Sequence, residues 1–286
     1  MLINGHWRVP VSPTAYTGIP TAVFRCHTPF ALPPDRYALY VSRGCPWSHQ
    51  VLLMHALTHS DLPVYTAHPV LGPQGWSFRP GAGVVSDGST QYIRVLYTNT
   101  QADYTGVASL PVLWDCHQGR IVTNHSDDCM RLLNTAAYYP TTKQDLMQTV
   151  SRFIRHYLYD AIYKTGAATS QLSYEESVAY VFDALNELDV LLEQSPYVVG
   201  KSLTAVDCQL WAILSRFDAV YYDLFRCNKK HLWDYPHISA YLKSIYKLPG
   251  VSETFLLDHI QTHYYASPRY QNTAIRIPVG PDLPWL

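Results

Sequence analysis

A single cysteine stands between a strand-like run and a helix-like run in YVSRGCPWSHQVLLMHAL, residues 40–57. Residues 36–42, RYALYVS, indicate a buried strand, and the apolar residues within 46–58 have helical spacing. Pro46 follows Cys45 directly, and a proline at the first helical position loses no hydrogen bond. The sulfur of Cys45 is therefore predicted to lie at a helix N-terminus, where unpaired N–H groups and the helix dipole favour a thiolate.

The residue three positions after Cys45 decides what this thiol can do. Ser48 stands where a C-x-x-C pair has its second cysteine, so the centre has one thiol. Such a centre can attack a disulfide or a thioether, but a second thiol must come from solution to resolve the mixed disulfide. Two other interpretations compete: Cys45 as a small buried residue at a strand end, or Cys45 and His49 as two ligands on one helix face. No second ligand pair has matching spacing, so we expect no metal.

The composition limits the classes of partner and the cellular compartment that we expect for this chain. The formal net charge is −1, which gives no electrostatic reason to expect nucleic acid or an anionic membrane as a partner. No apolar run approaches the roughly 20 residues of a membrane-spanning helix, and the N-terminus lacks the pattern of a secretory signal. The six cysteines are widely spaced, which predicts reduced thiols in the cytoplasm rather than a disulfide framework.

The order of elements predicts two domains. Strands are expected at 36–42, 62–70, 110–115 and 120–125, helices at 46–58, 92–97 and 126–134, and a loop at 72–90. This β-α-β-α-β-β-α order is followed by helices, one of which starts at a capping-box-like Thr204-x-x-Asp207. The predicted division is an extended arm (1–34), an α/β domain (35–137), a linker (138–148), an all-helical domain (149–265) and a C-terminal tail (266–286).

A second signal lies in LPVLWD and IVTNHS, residues 110–115 and 121–126. Proline removes a ladder donor, so a Leu-Pro pair opening a strand is unusual. If the Leu110–Pro111 bond is cis, the backbone of Leu110 is exposed to a ligand. Ser126 at a helix start can bind a carboxylate through its hydroxyl and backbone N–H. Taken singly, these are an edge-strand proline and an ordinary helix cap; with Cys45 they describe a thioredoxin-like glutathione site.

An ordered series of motifs carries a specific resemblance over the chain beyond residue 20. The series runs CPWSH, GPQGWSF, DYTG, LPVLWD, IVTNHSDDCMRLLN, AIYKTGAATSQ, RFDAVYYDLFRCN, YPHISAYLKSIYKLPGVSET and HIQTHYY. The chain resembles the Xi-class glutathione transferases, the glutathionyl-hydroquinone reductase family. The resemblance implies a thioredoxin-like N-terminal domain, an all-helical C-terminal domain and a homodimer built through the helical domains. It also implies glutathione as co-substrate and reductive removal of glutathione from glutathionyl-hydroquinones.

The resemblance also implies roles for single residues. Cys45 matches the nucleophile, Trp76 a tryptophan that contacts glutathione, and Leu110 a residue whose backbone contacts it. Ser126 matches the serine that holds the γ-glutamyl carboxylate. The proton donor and the two tyrosines near the sulfur and the aromatic substrate are matched by Tyr163, Tyr221 and Tyr264, respectively. Without the resemblance, these tyrosines would be interpreted as packing residues whose hydroxyls find one partner each.

Two positions depart from the family pattern within the implied glutathione site. The family usually has arginine where this chain has Val107, and glutamate where it has His125. The carboxylate that would pair with the γ-glutamyl ammonium is therefore missing. A neutral His125 can accept a hydrogen bond, whereas a cationic one would repel the ammonium. We therefore expect either a high glutathione requirement or another low-molecular-weight thiol.

The sequence thus predicts a cytoplasmic, thiol-dependent reductase that acts through a Cys45 mixed disulfide. A thioltransferase or dehydroascorbate-type reductase has the same fold and the same thiol chemistry. The alternative from another class is a non-catalytic protein that binds aromatic ligands and has lost glutathione. A requirement for Cys45 separates the enzymes from the binder, and a comparison of quinol thioethers with small disulfides separates the two enzymes.

Overall fold

The computed structural model describes residues 1–9, 23–81, 83–133, 136–270 and 276–286, which form two units. The first unit consists of Met1–Asn134 with Thr254–Ile277, and the second of Thr135–Glu253 with Pro278–Leu286. An α/β unit thus precedes a helical one, as the sequence predicts.

A four-stranded sheet forms the centre of the first unit. Its elements in chain order are β1 (Leu2–Ile3), β2 (His6–Trp7), β3 (Tyr37–Val41), α1 (Pro46–Leu57), β4 (Val64–Thr66), α2 (Ile93–Thr100), β5 (Val112–Asp115), β6 (Arg120–Thr123) and α3 (Ser126–Leu132). The sheet order is β4-β3-β5-β6, with β3 parallel to β4 and antiparallel to β5, and β5 antiparallel to β6. From β3 onward this is the predicted β-α-β-α-β-β-α order and a thioredoxin-like arrangement.

Strand β3 is central because all five of its residues are apolar or aromatic and buried. Tyr40 packs against Phe78 and Tyr65, with ring centroids 5.1 and 5.0 Å apart. Strand β4 is shorter than the predicted 62–70. Pro63 and Pro69 lie on either side of it, and proline supplies no N–H to a sheet.

The N-terminal residues differ from the predicted extended arm. Residues 2–7 form the β1–β2 hairpin, and Leu2 exchanges two backbone hydrogen bonds with Gly106, at 2.9 and 3.0 Å. Leu2 is buried in the core of the first unit. Residues 23–34 contain no helix or strand, and the N–H groups of Val23 and Phe24 donate to Asn124 Oδ1. Residues 10–22 of the predicted arm lie outside the described residues.

The second unit is helical. Its helices are α4 (Gln144–Ile154), α5 (Ala161–Ala167), α6 (Gln171–Gln194), α7 (Ala205–Leu214) and α8 (Pro236–Tyr246). A π-helical stretch, Arg155–Asp160, joins α4 to α5, and another, Phe217–Tyr221, follows α7. The capping box predicted at Thr204 and Asp207 is confirmed at the start of α7. The predicted linker 138–148 contains a 3₁₀ turn, Thr141–Lys143, and the first turn of α4.

The last helix, α9 (Leu257–Ala266), belongs to the first unit. The sequence analysis placed it in the helical domain because local periodicity does not show where a helix packs. The contacts that tie it to the first unit include Ser267 Oγ, which accepts the Leu71 N–H at 2.8 Å. In the second unit, Trp285 of the tail packs edge-to-face on Trp211, with ring centroids 5.8 Å apart. Across the described segments of both units, no helix combines the length and apolarity needed to cross a membrane.

Candidate active site

Cys45 occupies the N-cap position of α1, as predicted. Its backbone is extended, its N–H donates to the Ser42 carbonyl at 3.2 Å, and its own carbonyl accepts the first helical hydrogen bond from His49 at 3.0 Å. Pro46 fills the first helical position. The residue is 8% exposed. The N-cap position places the Cys45 side chain at the N-terminal end of a twelve-residue helix, where the helix dipole favours a thiolate.

The backbone of Leu110 adjoins this thiol. Cys45 Sγ lies 3.9 Å from the Leu110 carbonyl oxygen, close enough for a weak S–H···O contact. The Leu110–Pro111 peptide bond is cis, the condition under which the sequence analysis expected the Leu110 backbone to be exposed to a ligand. Both residues directly precede β5. The two strongest sequence signals thus meet at one point of the first unit.

The two polar residues after Cys45 stabilise the turn. Ser48 is fully buried, and its Oγ accepts the Ser42 N–H at 3.2 Å. His49 is also buried, and its Nε2 lies 2.9 Å from Thr254 Oγ1. This hydrogen bond engages one of the two ring nitrogens of His49. No cluster of three or more His, Cys, Asp or Glu that could hold a metal occurs in the described parts of the chain.

Ser126 is joined to α1 by a side chain that the sequence analysis did not single out. Gln50 Nε2 donates to Ser126 Oγ at 3.0 Å. Ser126 is the first residue of α3, and His125 occupies the N-cap position. Taken singly, Ser126 would be interpreted from the sequence as an ordinary helix cap; in the structure its hydroxyl accepts a hydrogen bond from Gln50 instead. This contact connects the helix that begins at Cys45 to the position implied for carboxylate binding.

His125 stands at the edge of a charged cluster. Its Nδ1 lies 3.4 Å from Asp128 Oδ1, an approach that pairs the two groups when the imidazole is protonated. Asp128 accepts two hydrogen bonds from the Arg25 guanidinium, at 2.8 and 3.0 Å, and one from the Cys26 N–H at 3.0 Å. Burial raises the pKa of Asp128, but the contacts with His125, Arg25 and Cys26 outweigh it and hold that pKa well below its usual range.

Trp76 is held by a histidine of α9. The Trp76 ring stacks on the His263 ring, with centroids 5.1 Å apart and planes 28° from parallel. His263 is buried, and its Nδ1 lies 3.1 Å from the Pro69 carbonyl oxygen. A Cβ added to Gly44 would collide with the same histidine, so His263 packs directly against the residue before Cys45. Tyr264 is fully buried beside His263, with ring centroids 4.8 Å apart.

The remaining predicted site residues are Val107, Tyr163 and Tyr221. Val107 is half-buried, and its carbonyl accepts the Tyr104 hydroxyl at 3.3 Å. Tyr163 and Tyr221 lie in the second unit, 6.1 Å apart between ring centroids. Both contact Phe225, edge-on for Tyr163 and stacked for Tyr221. Cys45, Leu110, Ser126, Trp76, Val107, His125 and Tyr264 belong to the first unit.

The remaining thiols provide a contrast with Cys45. Burial raises the pKa of Cys129, Cys208 and Cys227, that of Cys227 to about 12. Burial and two nearby carboxylates also raise the pKa of Cys116. These four thiols stay protonated at neutral pH, and none of them occupies a helix N-cap as Cys45 does.

Gln50, His263 and the pair Arg25–Asp128 are the structural contacts that sequence reasoning missed. The motif HIQTHYY contained His263, but nothing in it indicated a stack on a tryptophan 187 positions earlier in the chain. Gln50 and Ser126 are 76 residues apart, and Arg25 and Asp128 are 103 apart. Such long-range pairs leave no periodic signal in one sequence.

The first unit also has an open groove of about 650 Å³ that contains none of the predicted site residues. Apolar and aromatic side chains alternate there with arginines. Its lining consists of Val23, Phe24, Arg25, Cys26, Phe30, Arg36, Tyr37, Thr100, Asp115, Gln118, Arg120, Ile121 and Val122. Two of the three guanidinium groups are already paired, Arg25 with Asp128 and Arg36 with Asp115. This groove therefore gives no reason to move the predicted thiol chemistry away from the Cys45 turn.

Comparison with known proteins gives consistent matches. The family model for the glutathione S-transferase C-terminal domain matches residues 171–244. Glutathionyl-hydroquinone reductase YqjG of Escherichia coli is 36% identical over 266 residues, which span 88% of this chain and 81% of that protein. Glutathionyl-hydroquinone reductase PcpF of Sphingobium chlorophenolicum is 35% identical over 264 residues, spanning 88% of this chain and 84% of that protein.

Solved structures agree. The glutathione-bound structure of the Escherichia coli protein superposes with a TM-score of 0.89 at 34% identity, covering 99% of this chain and 97% of that one. The glutathione transferase Xi of Phanerochaete chrysosporium gives a TM-score of 0.88 at 31% identity, covering 94% of this chain and 98% of that one. The likeness extends over nearly the full length of both chains.

Proposed function

The chain belongs to the Xi-class glutathione transferases, the family of the glutathionyl-hydroquinone reductases, and from this membership we propose that it reduces glutathionyl-hydroquinones with glutathione. The observation that carries the proposal is the Cys45 turn. A single thiol at the N-cap of α1 faces the Leu110 carbonyl, with Ser48 in the position of a resolving cysteine.

The first half of the reaction is an attack by the Cys45 thiolate on the sulfur of the substrate thioether. A Cys45–glutathione disulfide forms, and the bond between sulfur and the ring carbon breaks. The ring carbon keeps the electron pair and takes a proton, which releases the hydroquinone. In this proposal the hydroxyls of Tyr163, Tyr221 and Tyr264 orient the ring oxygens and supply that proton.

The second half regenerates the enzyme. A second glutathione, as thiolate, attacks the glutathione sulfur of the mixed disulfide. Glutathione disulfide leaves, and Cys45 returns to the thiolate. Because Ser48 cannot form an internal disulfide, every turnover takes one thiol from solution.

Glutathione is the co-substrate, and we propose that Trp76, the Leu110 backbone and Ser126 hold it. Trp76 is fixed by its stack on the α9 histidine, and Ser126 by the donor from α1. The positions of Val107 and His125 lack the arginine and glutamate usual in the family. A hydrogen bond to a charged group contributes roughly 1.5–3 kcal/mol, so we expect weak glutathione binding and a high glutathione requirement.

Cysteine variants test the proposal directly. Cys45→Ser should abolish turnover of a glutathionyl-hydroquinone with the fold intact, whereas Cys116→Ser, which removes an exposed thiol, should keep it. After incubation with glutathione disulfide, mass spectrometry should find one glutathione on the wild type, at Cys45. A glutathione adduct found only at Cys116 or Cys227 would contradict the proposal. Faster turnover of small disulfides than of quinol thioethers would favour the thioltransferase alternative.

We propose further that the protein is a homodimer built through its helical unit. An aromatic cluster at the surface of that unit supports this: Tyr157 lies 5.1 Å from Phe153 and 5.8 Å from Tyr180, ring to ring. Tyr180 is 52% exposed, and a group of adjacent aromatic residues at a surface, unlike a single exposed one, is typical of an interaction site. Light scattering should give twice the chain mass for the wild type and a shift toward monomer for Tyr180→Asp. A monomeric wild type would contradict the proposal.

We also propose that the protein works in the cytoplasm. All six cysteines are free thiols in the structure, a state that a reducing compartment preserves. Fractionation of cells that express the chain should recover it with cytoplasmic markers, and recovery with membranes or outside the cell would refute the assignment.

A further inference from the structure

Gln50 lies in the second turn of α1, five residues after Cys45, and is 4% exposed. Its side-chain Nε2 donates to Ser126 Oγ at 3.0 Å. Ser126 is 6% exposed at the start of α3. A buried glutamine thus reaches from the helix of the nucleophile to the serine implied in carboxylate binding.

The direction of this hydrogen bond restricts the serine. A hydroxyl has one proton to donate and two lone pairs that accept. Because Ser126 Oγ accepts from the Gln50 amide, one lone pair is occupied and its proton points elsewhere. A hydroxyl held in this way is a prepared donor for an anionic oxygen, and the amide dipole of Gln50 adds to the attraction.

We propose that Gln50 is a positioning residue that holds the Ser126 hydroxyl as a donor to the γ-glutamyl carboxylate of glutathione. The inference rests on the proposed function and names a residue that determines recognition of the thiol co-substrate. It also ties the glutathione subsite to α1, so that the helix bearing Cys45 supports the subsite.

Substitutions that reverse or remove the donor test this. In Gln50→Glu the new carboxylate accepts the hydrogen bond that the Ser126 hydroxyl would otherwise donate to the ligand, and it repels the ligand carboxylate. We expect glutathione affinity, measured by calorimetry, to fall about 10- to 100-fold. In Gln50→Met, which keeps length and loses the donor, we expect a fall of about 3- to 10-fold. The matched control is Gln118→Glu on the exposed β5–β6 turn, which should bind glutathione like the wild type.

Three further measurements separate positioning from a structural role. In turnover, the Gln50 variants should raise KM for glutathione while kcat at saturating glutathione changes little. Alkylation of Cys45 by iodoacetamide without glutathione should proceed at the wild-type rate. In the Ser126→Ala background, Gln50→Met should have no additional effect on binding, because the group it positions is gone.

The possible outcomes separate a failure of the Gln50 inference from a failure of the proposed function. Wild-type affinity in both Gln50 variants overturns the positioning role, although turnover through Cys45 would still stand. Equal losses from Gln50→Met with and without Ser126 also overturn it. Absence of quinol-thioether turnover in the wild type refutes the proposed function, while calorimetry still decides the role of Gln50. A wild type that binds no glutathione contradicts both.

Discussion

Replacing Asp128 by asparagine tests the charged cluster at the start of α3. The carboxylate accepts two hydrogen bonds from Arg25 and one from the Cys26 N–H at 3.0 Å. The Thr123 hydroxyl lies 3.2 Å from Asp128 Oδ2, but its single proton has a shorter acceptor in the Phe24 carbonyl at 3.0 Å. Asparagine has nearly the same shape but keeps one acceptor oxygen and no charge. The change therefore leaves the Arg25 guanidinium without its counter-ion and replaces an acceptor by a donor opposite several donors.

The expected loss follows from the exposure of the partners. Removal of one member of a buried ion pair destabilises by about 3–5 kcal/mol. The Arg25 side chain is 40% exposed while that of Asp128 is 3% exposed, so water recovers part of the lost solvation of the arginine. The hydrogen bond from the Cys26 N–H is not recovered in that way. We expect Asp128→Asn to lower the free energy of unfolding by about 2–4 kcal/mol at neutral pH.

The pH dependence has a definite sign. The pKa of Asp128 is lower in the folded protein than the value of about 3.9 for an unfolded chain. Its contribution to stability is therefore fully present above the unfolded pKa and is lost as pH falls through the folded pKa. The difference between wild type and Asp128→Asn should thus be large at neutral pH and shrink below about pH 4, as the carboxylate is protonated.

Urea unfolding at several pH values measures this difference. Asp127→Asn is a matched control on the same helix, because Asp127 pairs with Arg131 at the surface, and such pairs contribute about 1 kcal/mol or less. Loss of glutathione affinity should accompany the loss of stability, since Ser126 begins the same helix. A deficit below about 1 kcal/mol at neutral pH, or one that does not shrink in acid, would refute the reasoning.

Other substitutions give further tests. Gly44→Ala should lower both melting temperature and glutathione affinity in calorimetry, because the added methyl overpacks the site by about 1–3 kcal/mol; wild-type values would show that the site adapts. Each of the phenylalanine substitutions Tyr163→Phe, Tyr221→Phe and Tyr264→Phe should slow quinol-thioether reduction about 10- to 10⁴-fold. Each should impair glutathionylation of the Cys45 thiol less. Unchanged rates in all three variants would mean that these tyrosines serve only in packing. His125→Glu should bind glutathione about tenfold more tightly, because the new carboxylate can pair with the ligand ammonium; competition binding at neutral pH checks this, and equal affinity contradicts it.

Local physics made the Cys45 turn predictable. The apolar run 36–42, the proline at 46 and the helical spacing after it all lie within about twenty residues. Strand β3 and helix α1 appear within one residue of the predicted bounds. The capping box at Thr204 was predictable for the same reason, because both of its hydrogen bonds close within three residues.

Contacts between distant residues were not predictable in this way. The β1–β2 hairpin is fixed by the backbone pairing of Leu2 with Gly106. The sequence predicts an extended arm there, because the residue that pairs with Leu2 lies about a hundred positions later in the chain. Helix α9 has ordinary helical periodicity, which shows a buried face but not what covers it. Family resemblance named the tyrosines and Trp76, whereas the stack of Trp76 on His263 required coordinates.

The two positions that depart from the family pattern affect how much each remaining contact should contribute to glutathione binding. The family's arginine and glutamate would share the binding of glutathione with Ser126, and here Val107 and His125 stand in their places. In the proposed site, which has fewer charged contacts, a larger fraction of the binding free energy should fall on the Ser126 hydroxyl, to which Gln50 donates a hydrogen bond. Loss of Ser126 should therefore weaken glutathione binding more in this chain than in the same chain carrying Val107→Arg and His125→Glu, because coupled contacts at one ligand are not additive.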